Sequence, residues 1–144
     1  MSAPHCSVPA MLRDLPVEIV DNPNAACGML SSVQAGLRAL GGQDNALIGL
    51  CDQPSLAPET IQRIVMLQQR TGKGIIIPTH CGRGGHPILV CKRFFGEILS
   101  LPTSRTLKDF VRAHAREVLR MEVTDRGVTQ DIDDWATYQR EKAR

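Results

Sequence analysis

Short apolar runs bounded by turn-forming residues recur along the chain, and each predicts a β-strand. The runs lie at residues 17–21, 47–51, 74–78, 87–92 and 117–123. The run Leu47–Cys51 has no polar face, so it predicts a strand buried on both sides. The polar, glycine-rich segment THCGRGGH separates the third run from the fourth, and this wide turn allows the strand at 87–92 to return antiparallel.

Between these runs, apolar residues recur at a period near 3.6, which predicts amphipathic helices. The predicted helices cover 29–40, 58–70, 93–101, 106–114 and the segment from Asp134 or Trp135 onward, and residues 8–15 resemble the last turns of another. The inward stripe of the helix at 29–40 is expected to consist of Met29, Val33, Leu37 and Leu40, before Gly41 and Gly42 end it. Pro58 is expected to open its helix and Thr106 to cap another.

Strands that alternate with helices predict an α/β domain with three layers around a mostly parallel sheet. A chain of 144 residues suits one domain, so we predict a single domain over residues 1–144. The aromatic fraction is only 3% of the chain, against 42% hydrophobic residues, so the core is expected to be aliphatic.

Charge and cysteine content narrow the class of protein. The net charge is +2 and the seventeen Lys and Arg residues are scattered, so no nucleic-acid partner is expected. No apolar stretch approaches the roughly 20 residues that cross a bilayer, and the amino terminus does not resemble a secretion signal, so a cytoplasmic protein without membrane contact is expected. The five cysteines show no CxxC spacing, which predicts reduced thiols that are mostly buried, among them Cys27, Cys51 and Cys91.

Polar residues cluster in four turns that follow predicted strands. The clusters lie at residues 22–32, 52–55, 79–87 and 131–134. If the sheet is parallel, these turns share one edge of it and can converge. Mg²⁺ prefers carboxylates completed by phosphates and water, so Asp52 with an aspartate of the DIDD segment is the best candidate pair for a metal.

From the residues alone, other interpretations stay open. Asp52 before a proline is equally a turn cap, Gly28 with Ser31 and Ser32 can simply begin a helix, and His86 can be an ordinary turn residue. A receiver-like signalling domain with Asp52 as the phosphorylated residue is also an alternative. A zinc site or a cysteine nucleophile around Cys81 is not expected, because the His and Cys spacing is unusual and no orienting carboxylate is evident.

Four motifs occur in an order that resembles a known family. They are GMLSSVQAGL at 28–37, CDQP at 51–54, RGGHP at 83–87 and GVTQDIDDWATY at 127–138. Together they are similar to the MobA-like nucleotidyltransferases, most closely to the molybdenum cofactor cytidylyltransferases. The resemblance extends from about residue 17 to residue 140 and implies the nucleotide-diphospho-sugar transferase fold.

The resemblance also implies a reaction and a set of site residues. The reaction would be nucleotidyl transfer from CTP or GTP to a phosphorylated acceptor such as molybdopterin, with Mg²⁺ as cofactor and release of pyrophosphate. By resemblance, the catalytic and metal-binding residues would be Asp52 and Asp133, with Asp131 as the other candidate ligand. Gly28, Ser31 and Ser32 would bind the nucleotide, and Arg83, Gly85 and His86 would face the acceptor.

The chain departs from this family pattern at two places. It lacks the family's glycine-rich loop LAAGxSxRxGxxK, so we expect a member truncated at the amino terminus by two strand-helix units. The open sheet edge that results would favour a homo-oligomer or a partner chain, and a catalytically inactive remnant is the alternative. DIDD also replaces the usual DIDTP, so Asp134 or Thr129 is expected to cap the last helix.

Overall fold

The computed structural model describes residues 11–41 and 45–142, which form five helices, five strands and short 3₁₀ turns. The helices are α1 (Met29–Leu40), α2 (Pro58–Thr71), α3 (Phe95–Ser100), α4 (Leu107–Ala113) and α5 (Trp135–Lys142). The strands are β1 (Asn45–Ile48), β2 (Ile75–His80), β3 (Arg83–Gly84), β4 (Ile88–Cys91) and β5 (Val118–Glu122). The α/β class predicted from the sequence is confirmed.

The five strands form one mixed sheet. β2 is central: β4 and the short β3 pair antiparallel along one of its edges, and β5 pairs parallel along the other. β1 pairs antiparallel with β4, so β1, β2 and β5 all run in one direction. The return of the fourth strand antiparallel to β2 is confirmed. The carboxyl ends of β1, β2 and β5 therefore meet at one edge of the sheet, where α/β proteins bind their ligands.

Local sequence explains the two longest helices. α1 begins after Gly28, whose φ is +93°, and ends at Gly41, whose φ is +57°. α2 begins with Pro58 as its first residue and ends at Gly72 in the left-handed conformation. Both helices were predicted within one residue at each end. Thr106 and Asp109 form a capping box at the start of α4, which confirms the prediction that Thr106 caps this helix.

The core lies between the sheet and the helices. α2 packs on β2 through the fully buried Ile64, and α1 packs on β1 and α3. The inner surface is mostly aliphatic, as predicted, and the three phenylalanines of the chain are buried as well. Gln34, on the inner face of α1, donates to the carbonyl oxygens of Ile98 at 2.9 Å and Leu101 at 3.0 Å. This side chain ties α1 to the end of α3.

Three predictions about strands and helices were wrong. Residues 17–21 form no strand, because no strand within residues 11–41 and 45–142 pairs with them, and Val17 and Val20 lie exposed. β1 covers 45–48 rather than 47–51, and Leu47 is 41% exposed instead of buried on both sides, because β4 is its only described neighbour. The inward face of α1 is formed by Leu30, Ser31, Gln34 and Leu37, whereas Met29 and Leu40 point outward.

Two further predictions concern the termini and the thiols. The helix over 8–15 begins outside the described residues, and Leu12–Pro16 form turns and bends. Cys27 and Cys51 are exposed and only Cys91 is buried among the described cysteines, so the prediction of mostly buried thiols was wrong. Cys51 follows β1 in the loop to α2, and Cys27 lies in the turn before α1. Within residues 11–41 and 45–142, no helix has the length and apolarity to cross a bilayer.

Candidate active site

Asp52 lies in the loop that leads from β1 to α2, at the carboxyl edge of the sheet. Its backbone oxygen accepts a hydrogen bond of 2.8 Å from the amide of Ile132, which fixes this loop against the segment before α5. Its side-chain Oδ1 is buried and has no hydrogen-bond partner in the described part of the chain. A buried carboxylate oxygen without a donor is rare in folded proteins and calls for a cation or another ligand.

Two groups share the surroundings of this carboxylate. Asp131 is held nearby, because Gln53 Nε2 donates to Asp131 Oδ1 at 2.7 Å. His86 lies close enough to both aspartates for their charges to affect its pKa. Burial lowers the pKa of His86, and the negative charges of Asp131 and Asp52 oppose that shift. Two loops and the RGGHP segment thus converge, as the parallel arrangement of β1, β2 and β5 predicted.

The loop at 126–132 holds the RGGHP segment in place. The amide of His86 donates to the carbonyl oxygen of Val128 at 2.8 Å, and the amide of Gly85 donates to Pro78 at 2.8 Å. A Cβ added to Gly85 would lie 2.0 Å from the same Val128 oxygen, so only glycine allows this approach of two backbones. Gly85 therefore positions His86 through the backbone.

Asp125 joins the same loop to the start of α2. Its carboxylate accepts from the amide of Ala57 at 2.9 Å, the hydroxyl of Thr60 at 2.7 Å and the amide of Gly127 at 2.8 Å. Burial alone would raise the pKa of Asp125, but the Thr60 hydroxyl and the two amides outweigh burial and lower it. Gly127 in turn packs against Ser55, where a Cβ would lie 2.4 Å from the carbonyl oxygen. These contacts place the Asp52 loop beside Asp131.

The residues predicted for the nucleotide lie at the start of α1. Gly28 is the residue before the helix, and Ser32 is exposed there. Ser31 is buried: its hydroxyl donates to the carbonyl oxygens of Gly28 and Asn24, and Asn22 Nδ2 donates to it at 2.8 Å. The structure thus gives Ser31 a structural role in the turn before α1, and its contact with a nucleotide stays a prediction.

Two predicted residues are not drawn into the cluster. Arg83 is exposed in β3, and Asp133 is exposed before α5 without a hydrogen bond to the rest of the described chain. Asp134 caps α5, since its Oδ1 accepts a hydrogen bond of 2.6 Å from the amide of Thr137. Of the two residues predicted to cap this helix, Asp134 is therefore the one that does so.

The sequence interpretation missed Gln53 and Asp125. Gln53 lies inside the quoted CDQP motif, and Asp125 precedes Gly127 in an Asp-x-Gly turn, which was the available signal.

The side chains fit a magnesium ion that is held partly by a substrate. No group of three or more His, Cys, Asp or Glu side chains in the described residues could enclose a metal by itself. Mg²⁺ commonly binds through one or two carboxylates and takes its other ligands from phosphates and water. The unpartnered Oδ1 of Asp52 and the second oxygen of Asp131 match that donor set.

Two concave surfaces flank this cluster, and His86 lines both. An apolar groove of about 530 Å³ lies along β1 and α1, and its walls include the exposed side chains of Val20, Met29, Leu40 and Leu47. A second cavity, of about 650 Å³, lies between the start of α1, the Gly84–His86 segment and α4. Both volumes are typical of sites for small organic ligands.

Comparison with protein families and curated proteins gives one family. The family model for the MobA-like NTP transferase domain matches residues 1–118. The molybdenum cofactor cytidylyltransferase of Escherichia coli is 30% identical over 92 residues, which are 64% of this chain and 46% of that protein. The chain therefore spans about half the length of the curated relative that it matches.

Solved structures show the same fold. Rv0371c of Mycobacterium tuberculosis H37Rv is 25% identical with a TM-score of 0.65, covering 80% of this chain and 60% of that one. A manganese complex of the same protein is 26% identical with a TM-score of 0.59, over 74% of this chain and 57% of that one. The molybdopterin-guanine dinucleotide biosynthesis protein A of Archaeoglobus fulgidus is 13% identical with a TM-score of 0.65, covering 95% and 72% respectively.

Proposed function

The chain belongs to the MobA-like NTP transferase family, and from this premise we propose that it binds a nucleoside triphosphate and transfers the nucleotidyl group to a phosphorylated acceptor such as molybdopterin. The observation that carries the proposal is the buried, unpartnered Oδ1 of Asp52 beside His86 and Asp131. CTP is the first donor to test, because the curated relative is a cytidylyltransferase. GTP is the second, because a structural neighbour is named for a guanine dinucleotide.

The proposed reaction is a single displacement at phosphorus. An oxygen of the acceptor's phosphate bonds to the α-phosphorus of the triphosphate, the bond from that phosphorus to the oxygen bridging the β-phosphate breaks, and pyrophosphate leaves with the oxygen. Such chemistry needs positioning and neutralised charge rather than a nucleophilic side chain. Mg²⁺, held by Asp52 with Asp131 or Asp133, would supply that neutralisation when bound.

The remaining site residues contact the two substrates in this proposal. We assign Gly28, Ser31 and Ser32 to the nucleotide, and Arg83, Gly85 and His86 to the acceptor. Support for the second assignment comes from Gly85 and His86, which line the cavity of about 650 Å³ and are fixed by backbone bonds to Pro78 and Val128. Arg83 is exposed and outside that lining, so it would act only on a part of the acceptor that extends from the cavity.

Calorimetric titration tests the donor site. The protein is titrated with CTP and with GTP, each with and without Mg²⁺, and Asp52→Asn is compared with Asp14→Asn. Asp14 is an exposed aspartate outside the groove and cavity described here. We expect binding that requires Mg²⁺, that weakens about tenfold or more in Asp52→Asn, and that is unchanged in Asp14→Asn.

Pyrophosphate release with a molybdopterin acceptor then tests transfer itself. Nucleotide binding that ignores both Mg²⁺ and Asp52 would contradict the assignment of the metal ligand. Lack of any binding would favour the second candidate below.

The second candidate is a chain that functions only with a partner. It is favoured by the apolar groove beside β1, whose outer edge has no neighbouring strand among the described residues. An edge strand offers unpaired N–H and C=O groups, and an extended apolar segment of another polypeptide would satisfy them while covering Leu47 and Met29. Co-purification of such a partner, with nucleotide binding restored in the complex, would support this candidate over the first.

A further inference from the structure

The only tryptophan and the only tyrosine of the chain, Trp135 and Tyr138, lie together on the surface of α5. The centroids of their rings are 5.0 Å apart and the ring planes are inclined by 25°, so the two rings are stacked. Trp135 is 71% exposed and Tyr138 is 40% exposed, whereas all three phenylalanines are buried. The fold therefore leaves this stacked pair in contact with solvent.

Contacts before α5 and near its end place the ring pair beside the loop that follows β1. The amide of Ile132 donates to the backbone oxygen of Asp52 at 2.8 Å. Glu141 accepts a hydrogen bond of 3.4 Å from the hydroxyl of Ser55. Trp135 follows Ile132 by three residues, so the Cα atoms of these two residues are at most about 11 Å apart. Trp135 is therefore close to the candidate metal site around Asp52.

The two rings share one side of α5, because residues three apart on a helix are neighbours. Glu141 continues this row of Trp135 and Tyr138, and its bond to Ser55 shows that the row follows the loop between β1 and α2. The start of the helix is fixed by the side chain of Asp134, which caps it. The helix, its cap and the stacking together preorganise the pair to receive another ring.

A planar ring is the kind of ligand that this surface suits. Bases stack readily on exposed aromatic side chains, because every base has a π-face. Asp131, Asp133 and Asp134 directly precede the pair, so a bare phosphate would be repelled there. A neutral ring meets no such repulsion, and phosphates joined to it are accommodated where Mg²⁺ neutralises their charge.

We propose that the indole of Trp135 stacks on the base of the nucleoside triphosphate, with Tyr138 supporting the indole from its other side. The inference rests on the proposed function for the identity of this ligand: its phosphates would share the Mg²⁺ held by Asp52, and its base would extend from there to α5. Stacking accepts every base, so Trp135 raises the affinity for CTP and for GTP alike rather than selecting one of them.

The fluorescence of Trp135 reports this contact directly, since it is the only tryptophan. The protein is titrated with CTP and Mg²⁺, with cytidine, and with inorganic triphosphate and Mg²⁺, while N-acetyltryptophanamide is titrated in parallel to correct for light absorbed by the ligand. We expect CTP to quench the emission, and cytidine to quench it at concentrations at least about tenfold higher, because cytidine lacks the phosphates. Inorganic triphosphate, which has no base, should bind in calorimetry without quenching.

Calorimetric titration of variants measures what the ring contributes. Trp135→Leu should weaken CTP and GTP about tenfold and leave inorganic triphosphate with Mg²⁺ unchanged, whereas Trp135→Phe, which keeps a ring, should retain most of the affinity. Met66→Ala is the control for loss of an exposed apolar side chain, because Met66 is exposed on α2 rather than on α5. The control should bind CTP as the wild type does.

Unchanged emission at saturating CTP, or equal CTP affinity in Trp135→Leu and the wild type, would overturn the proposal. So would an equal loss of CTP and inorganic triphosphate in Trp135→Leu, because that result indicates a structural role. If no nucleotide alters the emission and it shifts to shorter wavelength as the protein concentration rises, a second copy covers the rings and the proposal fails. Circular dichroism shows whether Trp135→Leu is folded, and quenching in the wild type decides the matter if it is not.

Asp52→Asn separates this inference from the proposed function. That variant should lose Mg²⁺-dependent binding of CTP and of inorganic triphosphate, and cytidine should still quench its emission. Quenching by cytidine in a wild-type protein that shows no Mg²⁺-dependent binding would leave the stacking site standing and remove the proposed triphosphate site. Mg²⁺-dependent binding of CTP without quenching would do the reverse.

Discussion

The buried Oδ1 of Asp52 has no donor among the described residues of the folded chain, whereas water solvates this oxygen in the unfolded chain. Such an unmet hydrogen bond costs about 1–3 kcal/mol. Buried polar atoms without a hydrogen-bond partner occur mainly at functional sites, where a ligand supplies the missing partner. The carboxylate of Asp125 differs from that of Asp52, because it accepts hydrogen bonds from three donors.

We therefore predict that Asp52→Asn does not lower stability in the absence of metal. The free energy of unfolding from urea denaturation in a metal chelator should be unchanged or raised by up to about 1 kcal/mol, since the buried charge is removed. A fall of more than about 1 kcal/mol in the free energy of unfolding would mean that Asp52 has a structural partner, and would weaken its assignment to a ligand site.

Gly85 gives a second prediction for a single residue. Gly85→Ala places a Cβ against the backbone of Val128, so we expect it to lower the free energy of unfolding by about 1–3 kcal/mol and to weaken acceptor binding by displacing His86. Gly96→Ala is the control, because Gly96 lies in α3 with no atom within 4 Å of the added Cβ. The control should be neutral or stabilising by up to about 1 kcal/mol in the same urea titration.

Among the elements, the loop at 126–132 depends on Asp125. Because hydrogen bonds lower its pKa below the ordinary 3.8, the ionised carboxylate stabilises the fold fully above that value. The contribution is lost as the pH falls below 3.8 and through the lower pKa of the folded state. Acid should therefore loosen the link between this loop and α2.

The corresponding measurement is the free energy of unfolding of the wild type and Asp125→Asn against pH. The variant should be less stable by about 1 kcal/mol near pH 6, because an amide replaces one acceptor oxygen. The difference should shrink as the pH falls below 3.8. A difference that is constant down to pH 2 would show that the carboxylate charge has no part in this link.

α1 and α3 are joined by Gln34. Gln34→Met keeps the size of the side chain but removes the donor shared by the carbonyl oxygens of Ile98 and Leu101. We expect a loss of about 1–3 kcal/mol in urea denaturation. Gln62→Met, on the exposed face of α2, is the matched control and should change stability by less than about 0.5 kcal/mol.

The elements that could be predicted are those with local signals. Gly28 and Gly41 flank α1, and α2 begins with Pro58 and ends before Gly72, so residues at or next to each helix end determine where it begins and ends. The site was predictable only in part. Asp52 and His86 were found through motifs, but the bond from Thr60 to Asp125 spans 65 residues and leaves no pattern in either segment.

At the scale of the whole molecule, strands depend on their neighbours. The apolar run at 17–21 has the composition of a strand but no partner strand in the described part of the chain, and β1 is shorter and more exposed than its sequence indicated. Both departures lie along the apolar groove, which Val20 and Leu47 help to line. Both departures therefore have one physical cause, which is that no strand of the described residues covers the outer edge of β1.

That edge predicts self-association through β1, since a second copy is always available to pair with it. Light scattering after size-exclusion chromatography should give a mass above 15.8 kDa that rises with concentration. Leu47→Lys places a charge in the groove and should return the mass toward that of one chain. Met66 is also exposed and apolar, but it lies on α2 outside the groove, so Met66→Lys should give the same mass as the wild type. A wild-type protein that elutes as a monomer at every concentration and unfolds cooperatively would show that the edge tolerates exposure.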